Sequence, residues 1–407
     1  MSIITTHPTG NRNFRYLIKS LAKEKKLKFI FTNLSINSNL YIFNLISKQK
    51  RLLIKRRDFG FRKKIVSLSP IFEFLRVFLN KININFLNQI KDNFFSVHIT
   101  NKRFDKYVSK KIRHVKNIDK IYAYEGAALE TFIEAKKKGI ECIYELPTVY
   151  WKKKEKIYKY EKKKNPKYKK YFFSEDNEII KARIDKEIYL ADKIIVPSLQ
   201  SKKSLILHPK KKLNINIINY PFGRSIKSNN KNWYHKKRKL KILFVGMLEA
   251  RKGIHHIIET LKLLKKNNQL KYFHITVIGN GTMINNIKND WKEVEFFPFM
   301  PNELILQRMK KSDIFLSLSS FEGYALTPIE AMSMGMVVIC SKFCGFTDRC
   351  NKNDVIELSD VNARKIFNSI IKLKNNPNLI KRIGTNALKT CNKYQLSDYK
   401  NNLSKII

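Results

Sequence analysis

The sequence contains no apolar run near the roughly 18 residues that a membrane-crossing helix needs. Its first residues, Met1-Ser-Ile-Ile-Thr-Thr-His-Pro8, lack the charged and apolar stretches of a secretory signal and read instead as a first strand. There is no Cys-x-x-Cys. The five cysteines are an odd set, and no histidine neighbours the three closest together, Cys340, Cys344 and Cys350. That argues against a disulfide framework or a zinc site and leaves ordinary reduced thiols. A cytosolic location is the expectation. Neither an internal repeat nor a coiled-coil pattern is present. Acidic residues are scarce: 33 Asp and Glu stand against 82 Lys and Arg, a net charge of +49.

The charge is unevenly spread. Residues 1–240 carry 57 Lys and Arg against 19 Asp and Glu, a net of +38, and residues 241–407 carry 25 against 14, a net of +11. Such a field favours a polyanionic surface: an anionic membrane leaflet, nucleic acid or an acidic glycan. Compositional drift is the competing reading, because the chain is also crowded with Asn and Ile. An anionic membrane surface is the expected partner if the charge is functional, and specific nucleic-acid binding is not expected.

A chain of 407 residues with 43% hydrophobic content is long enough for two domains, each with its own core. Ile3–Thr6 reads as a strand and His7-Pro-Thr-Gly-Asn11 as a turn. Asn13–Leu21 has helical spacing, and Lys28–Thr32 is the next strand. Residues 45–115 mix helical pattern with basic clusters at Arg51–Arg57 and Arg62–Lys64. Beside these, Phe72–Leu79 is an aromatic-rich apolar segment, either core or an interfacial membrane patch. Lys120–Tyr124, Gly126–Lys138 and Glu141–Leu146 form a compact βαβ unit. Tyr150–Tyr171 is rich in Lys and Tyr. It fits a nucleic-acid stacking surface, a solvated helix face or a loop against lipid headgroups. A helix at Glu178–Leu190 and a strand at Asp192–Pro197 follow. The reading is a first domain at 1–223, a basic linker at 224–239, a second domain at 240–390, and a C-terminal helix at 391–407 packing near the domain junction.

The second series opens with a strand at Leu240–Val245, a loop Gly246-Met-Leu-Glu-Ala-Arg-Lys-Gly253 and a helix from Ile254. Gly246 permits a tight turn. Arg251 and Lys252 lie at the helix start, where two cations and free amides suit a diphosphate, with a solvated basic loop as the alternative. Strands at Phe273–Ile278 and Val294–Phe297 follow, with the turn Gly279-Asn-Gly281 between them, then a helix at Asn302–Lys311 capped by Asn302. Ile314–Leu318 is short and apolar enough for a buried parallel strand, and Val337–Cys340 is the next. Between these two strands, Ser319–Leu326 is a loop in which Gly323 can bring backbone close to a ligand. Thr327-Pro328-Ile329-Glu330 has a helix-start signature, with Thr327 as cap and Glu330 as its capping-box partner, and Gly335 stops the helix. Glu330 therefore has two readings: a capping residue, or an acceptor for two ribose hydroxyls.

The run Glu322-Gly-Tyr-Ala-Leu-Thr-Pro-Ile-Glu330-Ala-Met-Ser-Met-Gly335 resembles the Glu-x7-Glu motif of retaining GT-B glycosyltransferases of the group 1 family. Gly246–Gly253 resembles that family's phosphate loop, and Gly279-Asn-Gly281 its next strand-end turn. The resemblance implies an α/β fold of two Rossmann-like domains facing a central cleft. It implies transfer of a sugar, with retention, from a nucleoside-diphosphate-sugar to an acceptor hydroxyl, in surface polysaccharide, lipopolysaccharide or glycolipid synthesis. Glu322 and Lys252 would carry the catalytic work, on sugar hydroxyls and diphosphate respectively. Gly246, Arg251, Gly279, Gly323 and the backbone amides of Tyr324, Ala325 and Leu326 would hold the donor, and Glu330 its ribose. His7, Gly10, Asn11 and Glu125 would lie on the acceptor side, His7 standing in for a histidine that the family often carries near the donor sugar. No metal and no cofactor is implied, since cations and helix dipole meet the leaving charge. The acceptor would be a glycan or a lipid-linked sugar reached from the inner membrane face. Met247 and Met336 stand where the family often has Arg and Pro. An inactive GT-B scaffold and a basic nucleic-acid-binding protein are the alternatives.

Overall fold

A computed structural model describes residues 1–36, 57–61, 64–67, 96–173, 177–221, 231–288 and 291–407. The basic clusters at 51–56 and 62–63, the aromatic segment 72–79 and the first part of the linker lie outside these residues.

The first half runs β1 (Ile3–Thr6), α1 (Arg12–Lys23), β2 (Leu27–Thr32), β3 (Ile65–Ser67), α2 (Val97–His114), β4 (Lys120–Tyr124), α3 (Leu129–Lys137) and β5 (Glu141–Glu145). It continues with α4 (Trp151–Lys164), a 3-10 segment (Pro166–Tyr171), α5 (Glu178–Leu190), β6 (Lys193–Val196), α6 (Leu199–Ser204) and β7 (Ile215–Ile217). Its strands form one parallel sheet in the order β3-β2-β1-β4-β5-β6-β7. The second half runs β8 (Leu240–Val245), α7 (Ile254–Lys266), β9 (Phe273–Ile278), α8 (Asn285–Lys288), β10 (Val294–Phe297), α9 (Asn302–Lys311), β11 (Ile314–Ser317), α10 (Leu326–Ser333), β12 (Val337–Ser341) and β13 (Ile356–Leu358). Three helices close it: α11 (Ala363–Asn375), α12 (Pro377–Lys393) and α13 (Leu396–Ile406). The second sheet is also parallel, in the order β10-β9-β8-β11-β12-β13.

Both faces of the second sheet are buried, which is why its strands read as continuous apolar runs. Leu240, Ile242 and Phe244 point into one core and Leu243 into the other; Ile314 and Leu316 divide from Phe315 in the same way. Burying each such side chain is worth about 1.5–3 kcal/mol. At the C-terminal end of α9, the buried Lys231 ammonium donates to the carbonyls of Lys310 (3.0 Å) and Ser312 (2.5 Å). Arg238 forms a two-pronged pair with Asp313, both contacts at 2.7 Å. The described part of the linker is thus fastened to the second sheet. The last helix, α13, returns to the first half, with Tyr399 6.1 Å from Tyr16 and 6.5 Å from Tyr220 between ring centres.

Two helix starts differ from the sequence reading. Asn302 is the first residue of α9, after Pro301, and its side chain makes no cap. Helix α10 begins at Leu326, after Ala325, again with no side-chain cap. Thr327 and Glu330 therefore sit inside the helix, and the expected capping box does not form. The helix does stop as expected: Gly335 has φ 72°, and the Met336 amide reaches back to the Ala331 carbonyl at 3.1 Å.

The segment from α4 to Phe173 leaves the first half and lies on the second. Tyr168 and Phe172 are buried in the second core beside His255, at 5.4 and 5.2 Å between ring centres. The Tyr168 hydroxyl donates to Glu259 at 2.6 Å, and Lys164 pairs with Asp360. The Lys- and Tyr-rich stretch is thus a folded arm between the two halves.

Candidate active site

In each sheet the chain winds outward in opposite directions from two central neighbours, β1/β4 in the first and β8/β11 in the second. Loops leaving the carboxyl ends of such a strand pair splay apart and open a crevice. Every site residue expected from the sequence, except Gly279 and Glu330, lies on the four loops that leave these strands or at the helix starts they feed. A cavity of about 620 Å³ opens between the two crevices. Tyr124, Glu125, Pro147 and Thr148 border it from the first half, and Met247, Arg251, Glu322, Gly323 and Tyr324 from the second. The arm adds Lys154, Tyr158 and Tyr171. A smaller cavity of about 220 Å³ lies deeper, between β8, β11 and the start of α10, and Lys252, Glu322, Tyr324, Ala325 and Leu326 line it.

Glu322 stands between the two cavities. Its Oε1 accepts from Lys252 Nζ at 2.5 Å and from Arg251 at 3.1 Å. Burial alone pushes this carboxyl up, but Lys252 and Arg251 outweigh it and hold it below the usual carboxylate range. Gly253, at φ 79°, lets the chain pass from this loop into α7; a Cβ there would stand 2.4 Å from the Leu318 carbonyl oxygen. Gly323 is required by a contact between the two halves. A Cβ on it would lie 1.8 Å from the Pro147 carbonyl oxygen. Gly246 and Gly279 secure the loop from behind: the Gly246 amide donates to Ile278 and that of Gly279 to Phe297, at 3.0 and 2.9 Å.

The expectation that three successive amides face the donor is corrected at Ala325. Its N–H is taken by the Cys344 carbonyl at 2.9 Å, because the 343–345 turn packs against this loop. Leu326, as the first residue of α10, has no acceptor within its own helix. Glu330 points across the cleft instead of capping. Its Oε1 accepts from the Arg12 guanidinium of α1 at 3.2 Å, and burial raises its carboxyl while Arg12 works against that.

On the first half, His7 is buried. Its Nδ1 accepts the amides of Gly10 (2.9 Å) and Thr9 (3.2 Å), which puts the ring proton on Nε2. Burial, with Arg57 nearby, pushes His7 down to about 3, so the ring is neutral. It stacks on Tyr124 at 4.1 Å. Asn11 caps α1 through the Phe14 amide at 2.8 Å and also bonds the Tyr124 hydroxyl. His7, Gly10 and Asn11 thus reach the cavity through Tyr124, while Glu125 borders it directly. The loop after β4 is held by two buried carboxylates. Glu187 accepts the amides of Gly126, Ala128 and Leu129 at 2.8–3.2 Å, and Asp105 those of Glu130 and Thr131 at 2.7 and 2.9 Å. Sequence reading did not find Arg12, the arm residues or these carboxylates; only the Lys- and Tyr-rich composition of the arm marked it as unusual.

Residues 225–390 match the family model of glycosyl transferases group 1. The chain carries a group 1 glycosyl transferase domain. Its fold is GT-B. HepE of Anabaena, solved in complex with UDP, superposes with a TM-score of 0.62 at 14% identity, over 100% of this chain and 99% of that one. Sucrose-phosphate synthase from Thermosynechococcus elongatus gives 0.64 at 15% identity, over 100% and 98%. In sequence, an uncharacterized glycosyltransferase of Methanocaldococcus jannaschii is 31% identical over 159 residues, 37% of this chain and 40% of that protein's length. The matched family domain contains both Gly246–Gly253 and Glu322–Gly335. The crevice outside β8 and β11 is therefore part of the glycosyl transferase domain itself.

Proposed function

We propose that this protein transfers a sugar, with retention of anomeric configuration, from a nucleoside-diphosphate-sugar to an acceptor hydroxyl in the cleft. The observation that carries this is the Lys252–Glu322–Arg251 cluster at the crevice of the group 1 domain. A diphosphate entering the deeper cavity meets Lys252 and the open first amide of α10, and competes with Glu322 for both cations. Glu322, relieved of them, becomes an acceptor for sugar hydroxyls. Negative charge growing on the leaving diphosphate is then met by Lys252, Arg251 and the positive end of α10, all in place beforehand. The acceptor occupies the larger cavity, on the same side of the sugar as the departing phosphate, which is the geometry that retention asks for. That relatives of this fold bind UDP and UDP-glucose supports a uridine donor.

The acceptor is a glycan or a lipid-linked sugar; Tyr158 and Tyr171 bordering the cavity suit sugar faces. Among the described residues no helix is long and apolar enough to cross a membrane. The basic first half would reach a lipid-linked acceptor by docking on an anionic leaflet. Thermal shift against a panel of nucleotide sugars tests the donor: UDP-sugars are expected to raise the melting temperature in a saturable way. Absence of any shift with any nucleoside diphosphate or its sugar overturns the proposal. Retention at salt near physiological strength by liposomes containing anionic lipid, lost with neutral lipid, is the expected outcome for docking.

A further inference from the structure

Behind the cleft the arm crosses α7, and three potential ligands meet there. Glu161 of α4 and the consecutive residues His255 and His256 of α7 each bring one ligand atom to within 4.8 Å of the other two. The histidines are 1% and 5% exposed, and their rings stand 3.9 Å apart. Both ring nitrogens of His255 are buried, and one of them faces the Ala250 backbone carbonyl. A buried polar atom left unpaired costs about 1–3 kcal/mol, so the other nitrogen calls for a partner that the protein atoms do not supply. The rings of Tyr168 and Phe172 wall His255 in and cannot serve. Glu161 Oε2 accepts from Asn165 Nδ2 at 2.9 Å, which steadies the carboxylate. A cavity of about 330 Å³ bordered by Glu161, Lys164, His256 and Asp360 gives access from solvent.

We propose that Glu161, His255 and His256 bind one divalent transition-metal ion of the zinc type, which ties the arm to the second domain. Two imidazoles and one carboxylate form a borderline donor set. It suits zinc, cobalt or nickel, and not magnesium or calcium, which ask for oxygen. Three protein ligands leave a fourth position for water from the cavity. The nearest opposing charge is Lys164, which is engaged by Asp360; on the other flank, Glu259 of α7 adds negative charge. Tetrahedral ligands at about 2.0–2.1 Å from zinc stand about 3.4 Å apart, so small side-chain rotations close the site. The ligands come from both halves. The metal would therefore fix the segment that carries Tyr158 and Tyr171 into the cleft, at a distance from the sugar chemistry.

The test uses the tag-free full chain, stripped with a chelator and dialysed against Zn²⁺, with bound metal counted per chain. One tightly held Zn²⁺, a raised melting temperature and indifference to excess Mg²⁺ are expected. Co²⁺ at the same site is expected to show the visible bands of a tetrahedral nitrogen–oxygen centre. Glu161→Gln and His256→Gln are each expected to weaken Zn²⁺ binding by about tenfold or more. No stoichiometric uptake by the wild type, or equal affinity in Glu161→Gln, overturns the proposal. Glu161 is half-buried at the domain contact, so its variant remains informative if the histidine variant does not fold.

Discussion

The two crevices have the same topology and opposite chemistry. Outside β1 and β4, the helix-start amides are already taken: Asp105 and Glu187, both buried, occupy five of them around α3. Outside β8 and β11, two cations crowd onto the single carboxylate Glu322, and the start of α10 has no side-chain cap. A helix N-terminus is an anion site only if the protein has not filled it with its own anion. The first half fixes its helix start with its own carboxylates, and the second leaves its own without a side-chain cap.

The comparison breaks most visibly in stability. Glu187→Ala is expected to lower folding stability by about 3–5 kcal/mol, because it strips three amides and leaves Arg183 with less counter-charge. Chemical denaturation measures this, and a change below about 1 kcal/mol would remove the structural role of that carboxylate. Lys252→Ala and Glu322→Ala are expected to invert the pattern. Each costs about 10²–10³-fold in transfer rate, with a smaller loss of stability than Glu187→Ala; near-normal turnover in both would sink the assignment of this crevice.

A third test uses pH. The Glu145 carboxyl lies buried and is pushed up to about 7 by burial, against the hydroxyls of Tyr122 and Tyr220 that bond it. Its folded value is raised, so the stability it confers is full at low pH and is lost as pH rises through about 7. Glu322 is lowered, so its contribution is present above its ordinary value of 4.5 and disappears as pH falls below it. Glu145→Gln should flatten the decline between about pH 5 and 7, on the order of 2 kcal/mol; an unchanged pH–stability curve contradicts it.

The smallest effect is expected at Arg12, which is half-exposed. Arg12→Ala should change stability by no more than about 1 kcal/mol. It should also lower the donor KM a few-fold, because Glu330 no longer has to leave Arg12 to meet the ribose. A raised KM would mean that Arg12 itself holds the donor.

Much of this was legible along the chain. Strands β8, β9 and β10 fall on the boundaries that their apolar runs announce, because buried parallel strands need continuous apolar sequence. Lys252 and Glu322 were legible because each belongs to a short loop whose spacing is local. Strand β3, three residues long, is below the length at which any period shows. Thr327 misled for a physical reason: a Thr-x-x-Glu spacing is compatible with a cap, but the chain enters helix two residues earlier once the 343–345 turn takes the Ala325 amide. The arm was legible in part: its lysine-rich helix α4 buries none of its residues, as a solvated face would. What the composition did not show is that Tyr168 and Phe172, just beyond that helix, are committed to the second core.

By itself the sequence determined two doubly wound halves, most of their strands, and the presence of a basic loop and a Glu-x7-Glu loop in the second half. The halves follow from hydrophobic period and turn chemistry, and the association of the two loops from the resemblance to group 1 glycosyltransferases. Only the tertiary structure decided that Glu322 sits against Lys252 and Arg251, that Arg12 reaches Glu330, and that Glu161 meets His255 and His256. Each of these brings together residues about 70 to 320 positions apart, and no local propensity encodes which distant partner a charged side chain will meet.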